Sequence, residues 1–325
     1  MLFYLTLHAS LARGLCLQSQ APSPPIVTRT TFLAAVLAFS ASAFAQTKIR
    51  PVPLPSEPPD TVKAELDITY ARTPEQELKL DVYRPRSGGE KLPACVLVHG
   101  GGWTGGNKEK FRPLAIALAE KGYVVANIEY RLAPVAKYPA GVRDCSLAVR
   151  WVRANAVRFG LDPQRVGAWG GSAGGHLVGL LAAAPTHGNF LSGELKDVSA
   201  AVQATCIMAG PTDLASEKFV EGLRKAGDKS GSFQWFGKLY ADAPEIYREA
   251  SPITHFTKAT GPILFLTGDL DNPDRDAAGM AKLKELGVAT KQVILKDAKH
   301  GCWMQRPWFG QCVDAVDAWF REHLK

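Results

Sequence analysis

The sequence lacks the marks of a nucleic-acid binder. It carries no zinc-finger, RNP or helix-turn-helix pattern and no basic run. Its formal net charge is +7; two of those charges, Arg13 and Arg29, fall in a leader without Asp or Glu, which leaves +5 for the rest. There the Lys and Arg residues are interspersed with acids, so a mildly basic surface and no nucleic-acid partner are expected. No fixed period or heptad recurs, and low complexity is confined to one proline-rich stretch, which excludes solenoids and coiled coils. Cysteine is sparse and never spaced CxxC, so no structural metal site is expected. One of the six cysteines lies in the leader, and the five that follow are Cys95, Cys145, Cys206, Cys302 and Cys312. An odd set leaves at least one thiol unpaired within the chain. Cys302 and Cys312 flank a short loop and make the best candidate pair, whereas Cys95 and Cys206 sit in apolar runs and read as small buried hydrophobes.

The 325 residues are 46% hydrophobic and 21% charged, an ordinary globular composition that suits one large α/β domain. Residues 1–45 read as a leader. Arg29, the apolar run 32–39 and Ala43-Phe44-Ala45 before Gln46 have the order of a secretory signal: positive start, short apolar core, small-x-small cleavage site. The run is too short to span a bilayer comfortably. The stretch before residue 27 reads as an over-long gene start. A secreted or periplasmic mature chain is expected, with no stable membrane span once the leader is removed. Residues 46–63 are too rich in proline for helix or central strand and read as an extended linker.

From residue 64 to 325 strand and helix patterns alternate. Period-2 or short continuous apolar runs predict strands at 78–83, 94–98, 123–128, 166–169, 201–209, 262–267 and 291–295. Helical patterns cover 114–120, 143–159, 174–184, 276–286 and 311–323. Such alternation implies an α/β fold, with a parallel sheet covered on both faces and ligands beyond the carboxyl ends of its strands.

Two glycine-rich segments carry the chemistry, each directly after a strand. In Gly170-Gly171-Ser172-Ala173-Gly174 a serine sits between strand and helix. That sharp turn lifts a hydroxyl above the sheet, and the helix N-terminus behind it favours developing negative charge, so Ser172 is the candidate nucleophile. In His99-Gly100-Gly101-Gly102-Trp103 consecutive glycines let main-chain N–H groups converge. Gly101, Gly102 and Ala173 are the candidate oxyanion donors. His99 reads as a structural residue.

These segments, with Tyr130-Arg131-Leu132-Ala133-Pro134, Asp162-Pro163 and Lys299-His300-Gly301, make the chain resemble the α/β-hydrolase esterases of the hormone-sensitive-lipase-like group. It is especially similar to bacterial acetyl- and feruloyl-esterase-like enzymes over residues 78–323. The resemblance implies an α/β-hydrolase fold: a mostly parallel sheet of about eight strands, helices on both faces, no cofactor. It also implies the chain order nucleophile, acid, histidine. His300 then follows the last strand and is the expected general base. Gly268-Asp269-Leu270-Asp271 fits the family's Gly-x-x-Asp and points to Asp271 as the acid. The family's Val-Pro after the acid is missing, and the loop looks shortened, so Asp274 stays open; Asp276 looks like a helix N-cap.

Trp103 and Trp303 are candidate substrate-binding residues. Residues 210–213 are expected to line the cleft. The aromatic-rich segment 214–250 reads either as a small lid or as the packing of an inserted helix. The expected partner is a small-molecule or carbohydrate ester, and the expected activity is hydrolysis of short-chain acyl esters. Rival readings are an amidase or formamidase, a prolyl-oligopeptidase-like peptidase, and a non-catalytic cholinesterase-like binding module. Oligomeric state is not legible.

Overall fold

The computed structural model describes residues 53–191 and 193–325. The leader and signal sequence expected at residues 1–45, and the expected linker up to residue 52, lie outside the described residues. Eight strands form one sheet: β1 (Val62–Arg72), β2 (Glu77–Pro85), β3 (Leu92–Val98), β4 (Val124–Ile128), β5 (Leu161–Gly171), β6 (Ala204–Met208), β7 (Ile263–Gly268) and β8 (Thr290–Leu295), in the order β1-β2-β4-β3-β5-β6-β7-β8. The pairs β1–β2 and β2–β4 are antiparallel and all others parallel. This is the α/β-hydrolase fold.

Side-chain alternation along the strands divides the core. Ala94, Val96 and Val98 of β3 join one buried cluster, while Cys95 and Leu97 join the other. Helices Ala140–Ala154, Ala173–Ala183 and Ala277–Glu285 send apolar residues such as Val149, Leu177 and Leu283 into the first cluster. Helices Arg112–Glu120 and Trp308–His323 supply Leu114, Val316 and Phe320 to the second. Central strands covered on both faces are largely apolar, and β4, β6 and β7 are buried at every position, Asn127, Thr205 and Thr267 being their polar members.

Three local expectations change. The folded body begins before residue 64. Val62 is buried, Leu54 packs against the core, and Arg86 donates to the carbonyls of Thr61 and Asp60, so part of the proline-rich stretch lies on the domain. Strand β1 carries two register shifts against β2, which disturb the alternation by which a strand is recognised. The long helix expected over 143–159 is two helices, Ala140–Ala154 and Ala156–Phe159, because the Asn155 side chain bonds the Trp151 carbonyl at 2.8 Å and competes with the helical ladder. Among the described residues no helix is long and apolar enough to cross a membrane.

Candidate active site

Strand β5 delivers Ser172 into the helix Ala173–Ala183 through a turn in which the serine takes φ 55° and ψ −121°. A side chain with a Cβ is strained in that region, so the turn needs surrounding support. Backbone bonds supply it: the Ser172 N–H donates to the Met208 carbonyl at 2.7 Å, and the Ser172 carbonyl accepts from His176 at 3.0 Å. The helix packs so closely behind β3 that a Cβ on Gly174 would stand 2.1 Å from the Val98 carbonyl oxygen. Glycine is therefore a steric requirement there.

The loop after β3 comes against this turn. A Cβ on Gly100 would meet the Ser172 Cβ at 3.0 Å. Gly101 and Gly102 have φ 138° and 61°, and Trp103 follows at 63°. The Gly101 carbonyl accepts from Thr104 and Gly105 at 3.2 and 3.0 Å, closing the turn. The N–H groups of Gly101 and Gly102 themselves donate to no acceptor among the described residues. Ala173 is the first residue of its helix, and its N–H lies outside the helical ladder.

The loop after β8 brings His300 over the serine. His300 Nε2 lies 3.0 Å from Ser172 Oγ, and Nδ1 lies 2.7 Å from Asp271 Oδ2. The other Asp271 oxygen accepts from Arg275 Nη2 at 2.7 Å. The clustered carboxylates of the acid loop separate by partner. Asp269 accepts from the Ala298 N–H at 3.2 Å and ties the acid loop to the histidine loop. Asp271 reaches the imidazole. Asp274 lines a neighbouring cavity. Asp276 stands at the head of the helix Ala277–Glu285 but makes no side-chain cap; its Oδ1 accepts from the Thr212 hydroxyl at 3.1 Å. Burial pushes this carboxyl up to about 7, against the lowering effect of the Thr212 hydrogen bond.

Trp103 and Trp303, the two candidate substrate-binding residues, are both largely buried. Trp103 is buried, stacks on Trp235 at 5.1 Å and donates from Nε1 to His176 Nδ1 at 3.2 Å. His176 Nε2–H then donates to the Ala250 carbonyl at 2.7 Å, so both ring nitrogens are engaged and the tautomer is set. Burial pushes this imidazole down to about 4 and keeps it neutral. Trp303 is also buried; it packs edge-on to His300 with centroids 5.3 Å apart, and its ring would meet a Cβ on Gly171 at 3.1 Å. It supports the histidine from beneath. His99 is equally interior, stacked on Tyr130 at 4.6 Å and held neutral by burial at about 4. Arg131 and Asp144 form a multiply bonded pair, with the shortest contact 2.7 Å.

The segment 214–250 combines both readings offered by its aromatics. Trp235, Phe236 and Tyr247 are buried in the core. The helix Glu217–Ala226 instead covers a cavity of about 590 Å³, walled by Phe219, Leu223 and Ala226 and bounded by Thr212, Ser230 and Arg275. A Cβ on Gly231 would lie 2.4 Å from the Gly102 carbonyl oxygen, so the chain beside Ser230 abuts the glycine loop after β3. The cavity lies between this segment and the loop of Asn272, Asp274 and Arg275. Sequence reasoning missed Arg275 as the partner of Asp271, although its four-residue spacing from Asp271 is a usable signal, and missed the Thr212–Asp276 contact, which depends on two distant loops.

A strand-to-helix serine, a histidine after the last strand and an acid after the one before it are arranged as in α/β-hydrolases. Comparison with known proteins narrows this class: residues 80–274 match the BD-FAE family model, and the chain belongs to that family. It is 30% identical over 241 residues to "Esterase LipQ" of Mycobacterium tuberculosis, covering 72% of this chain and 56% of that one. It is 40% identical over 107 residues to "Carboxylesterase NlhH" of the same organism, covering 33% of this chain and 34% of that one, so it spans about half or less of these relatives. The versiconal hemiacetal acetate esterase of Dothistroma septosporum is 30% identical over 236 residues, with 70% of this chain and 71% of that protein covered. Among solved structures, a truncated carbohydrate esterase from gut microbiota aligns with TM-score 0.70 at 21% identity, covering 81% of this chain and 99% of that one, and shares the fold. The native Est2 esterase of Thermogutta terrifontis aligns with TM-score 0.66 at 25% identity, over 82% of this chain and 94% of that one.

Proposed function

We propose that the protein is a secreted or periplasmic serine carboxylic-ester hydrolase for short-chain acyl esters, with acetyl esters of carbohydrates as the substrate class to test first. The observation that carries this reading is the relay Ser172 Oγ–His300 Nε2 at 3.0 Å and His300 Nδ1–Asp271 Oδ2 at 2.7 Å. It lies beside the loop of Gly101 and Gly102, whose N–H groups donate to no acceptor among the described residues.

In this mechanism His300 takes the Ser172 proton as Oγ attacks the ester carbonyl. Gly101, Gly102 and Ala173 donate to the oxyanion, and the helix N-terminus at Ala173 adds its dipole. Asp271 holds the imidazole with Nδ1 protonated and stabilises the imidazolium. His300 passes its proton to the leaving alkoxide, then activates water to release the acid. The 590 Å³ cavity receives the bulkier arm of the ester. Names of relatives that include an acetate esterase and a carbohydrate esterase support the substrate class. Export rests on the signal-like residues 29–45.

The test is hydrolysis of p-nitrophenyl acetate and butyrate beside a Ser172→Ala variant, followed by a screen of acetylated, feruloylated and methylated carbohydrate esters. Turnover by the wild type and none by the variant is expected. No wild-type turnover, or equal turnover by both, overturns the proposal. N-terminal sequencing of exported protein checks cleavage after Ala45; a start upstream of Gln46 refutes that site.

A further inference from the structure

We infer that a second cavity, walled by the glycine loop after β3 and by residues 130–135, is a binding site for a hydroxyl-rich ligand, a sugar unit. Residues 130–135 follow β4 and are fastened to that loop. The Tyr130 hydroxyl donates to the His99 carbonyl at 3.0 Å, the Ala133 N–H donates to the Trp103 carbonyl at 2.9 Å, and the Tyr130 ring stacks on His99. The two segments, with Gln76 from the turn between β1 and β2, enclose about 400 Å³. That size is ordinary for a small-molecule site. None of the lining residues belongs to the cavity under the helix Glu217–Ala226, so the two spaces are walled independently.

Three side chains of this lining hold polar atoms without a partner among the described residues. His99 is only 1% exposed; its Nδ1 lies 2.9 Å from the Gly100 carbonyl and carries the ring proton, which leaves Nε2 a bare acceptor. Burial holds the ring neutral and keeps it so. Glu129 donates its N–H to the Lys79 carbonyl and accepts from the Tyr70 hydroxyl at its own carbonyl, but its half-buried carboxylate makes no hydrogen bond or ion pair. The Thr104 hydroxyl is also free, its N–H alone being used in the loop. Secluded acceptors need donors, and two in one cavity are met together by a ligand that brings several. Sugar hydroxyls donate to His99 Nε2 and to the Glu129 carboxylate, and the Thr104 hydroxyl pairs with another in either sense. The C–H face of the ring meets Leu132, Pro134 and Val135. No Lys or Arg lines the cavity, so a phosphate or carboxylate finds no cation there, and a lone ammonium group leaves the apolar side unused. The site borders the chemistry. A Cβ on Gly106, in its wall, would lie 2.2 Å from the Gly100 carbonyl oxygen, and one on Gly100 would lie 3.0 Å from the Ser172 Cβ.

The claim concerns binding alone, so it stands or falls apart from the esterase reading. Isothermal titration of the full-length protein with xylotriose and with cellotriose, neither of which carries an ester, should show saturable binding of at least one. Glu129→Gln, which keeps the shape and removes the charge, should weaken that binding roughly tenfold, and Thr104→Val should weaken it less. Gly222→Phe, which fills the other cavity, should leave it unchanged. In wild-type protein with isotope-labelled histidine, the His99 Nε2 resonance should move as the sugar saturates, a readout that needs no variant to fold. Any one of five results overturns the proposal: no saturable binding of either sugar, binding of butylamine in their place, equal binding by Glu129→Gln, loss of binding in Gly222→Phe, or a His99 resonance that stays still.

Discussion

Replacing Asp271 by Asn should cost about 10,000-fold in turnover, about 5.5 kcal/mol of transition-state stabilisation. The reason lies in how Asp271 is held. One oxygen accepts from Arg275 and the other from His300, each at 2.7 Å. Asn offers one oxygen and one NH2, and the Arg275 guanidinium has only donors to present. The amide oxygen must therefore face Arg275, which turns the NH2 toward His300 Nδ1. That nitrogen then accepts, the ring proton moves to Nε2, and Nε2 can no longer take the Ser172 proton. Removing the constraint should recover part of the loss: in Asp271→Asn/Arg275→Met the amide is free to flip, and the hydrogen bond regained, about 1–1.5 kcal/mol, should return roughly tenfold. Asp274→Asn should stay within about twofold of wild type, since surface changes rarely exceed 0.5 kcal/mol. The assay is p-nitrophenyl acetate hydrolysis with circular dichroism to confirm folding. If Asp274→Asn collapses while Asp271→Asn stays within roughly tenfold of wild type, the proposed relay is wrong.

The raised carboxyl of Asp276 makes stability depend on pH. Its folded value is about 7 against 3.8 for the free group, so the folded state favours the protonated form; stability is greatest below pH 3.8 from this group and is lost as pH rises toward 7. At about 1.4 kcal/mol per unit the upper bound on the loss is on the order of 4 kcal/mol, and Asp276→Asn should flatten this part of a urea-melt series between pH 4 and 8. An unchanged slope in the variant would count against it. Trp103→Phe strips His176 Nδ1 of its donor in a buried site, which should cost about 1–3 kcal/mol in chemical denaturation; a cost below 0.5 kcal/mol would mean the contact carries little. Gly222 faces the cavity with nothing within 4 Å of its Cβ position, so Gly222→Phe should fold and fill the space. Its kcat/KM should fall roughly tenfold or more for naphthyl acetate relative to methyl acetate; an equal effect on both esters would separate the cavity from specificity.

The parallel core of the sheet was readable because its strands are buried on both faces and are therefore largely apolar. Ser172 and the three glycines before it were readable for a related reason: a backbone that turns this sharply, or passes this close to another, excludes most side chains. Such restrictions are written residue by residue. Strand β1 and the break at Asn155 were not, because bulged pairing and a side chain competing for a backbone carbonyl are local departures from a period.

What belongs to the sequence alone is thus the class of fold, the serine on its turn and the histidine after the last strand, all set by backbone sterics and apolar periodicity. Tertiary structure decided the rest. Four acidic residues within eight positions carry nearly equal local signals, and only the packing of two loops separates Asp271 at His300 from Asp269 at Ala298, Asp274 at the cavity and Asp276 at Thr212. The two tryptophans beside the motifs are both largely buried, because Trp103 meets Trp235 and His176 and Trp303 meets Gly171, all from distant parts of the chain. Which side chain faces the ligand is a property of what else arrives in the same place, and no local pattern encodes that.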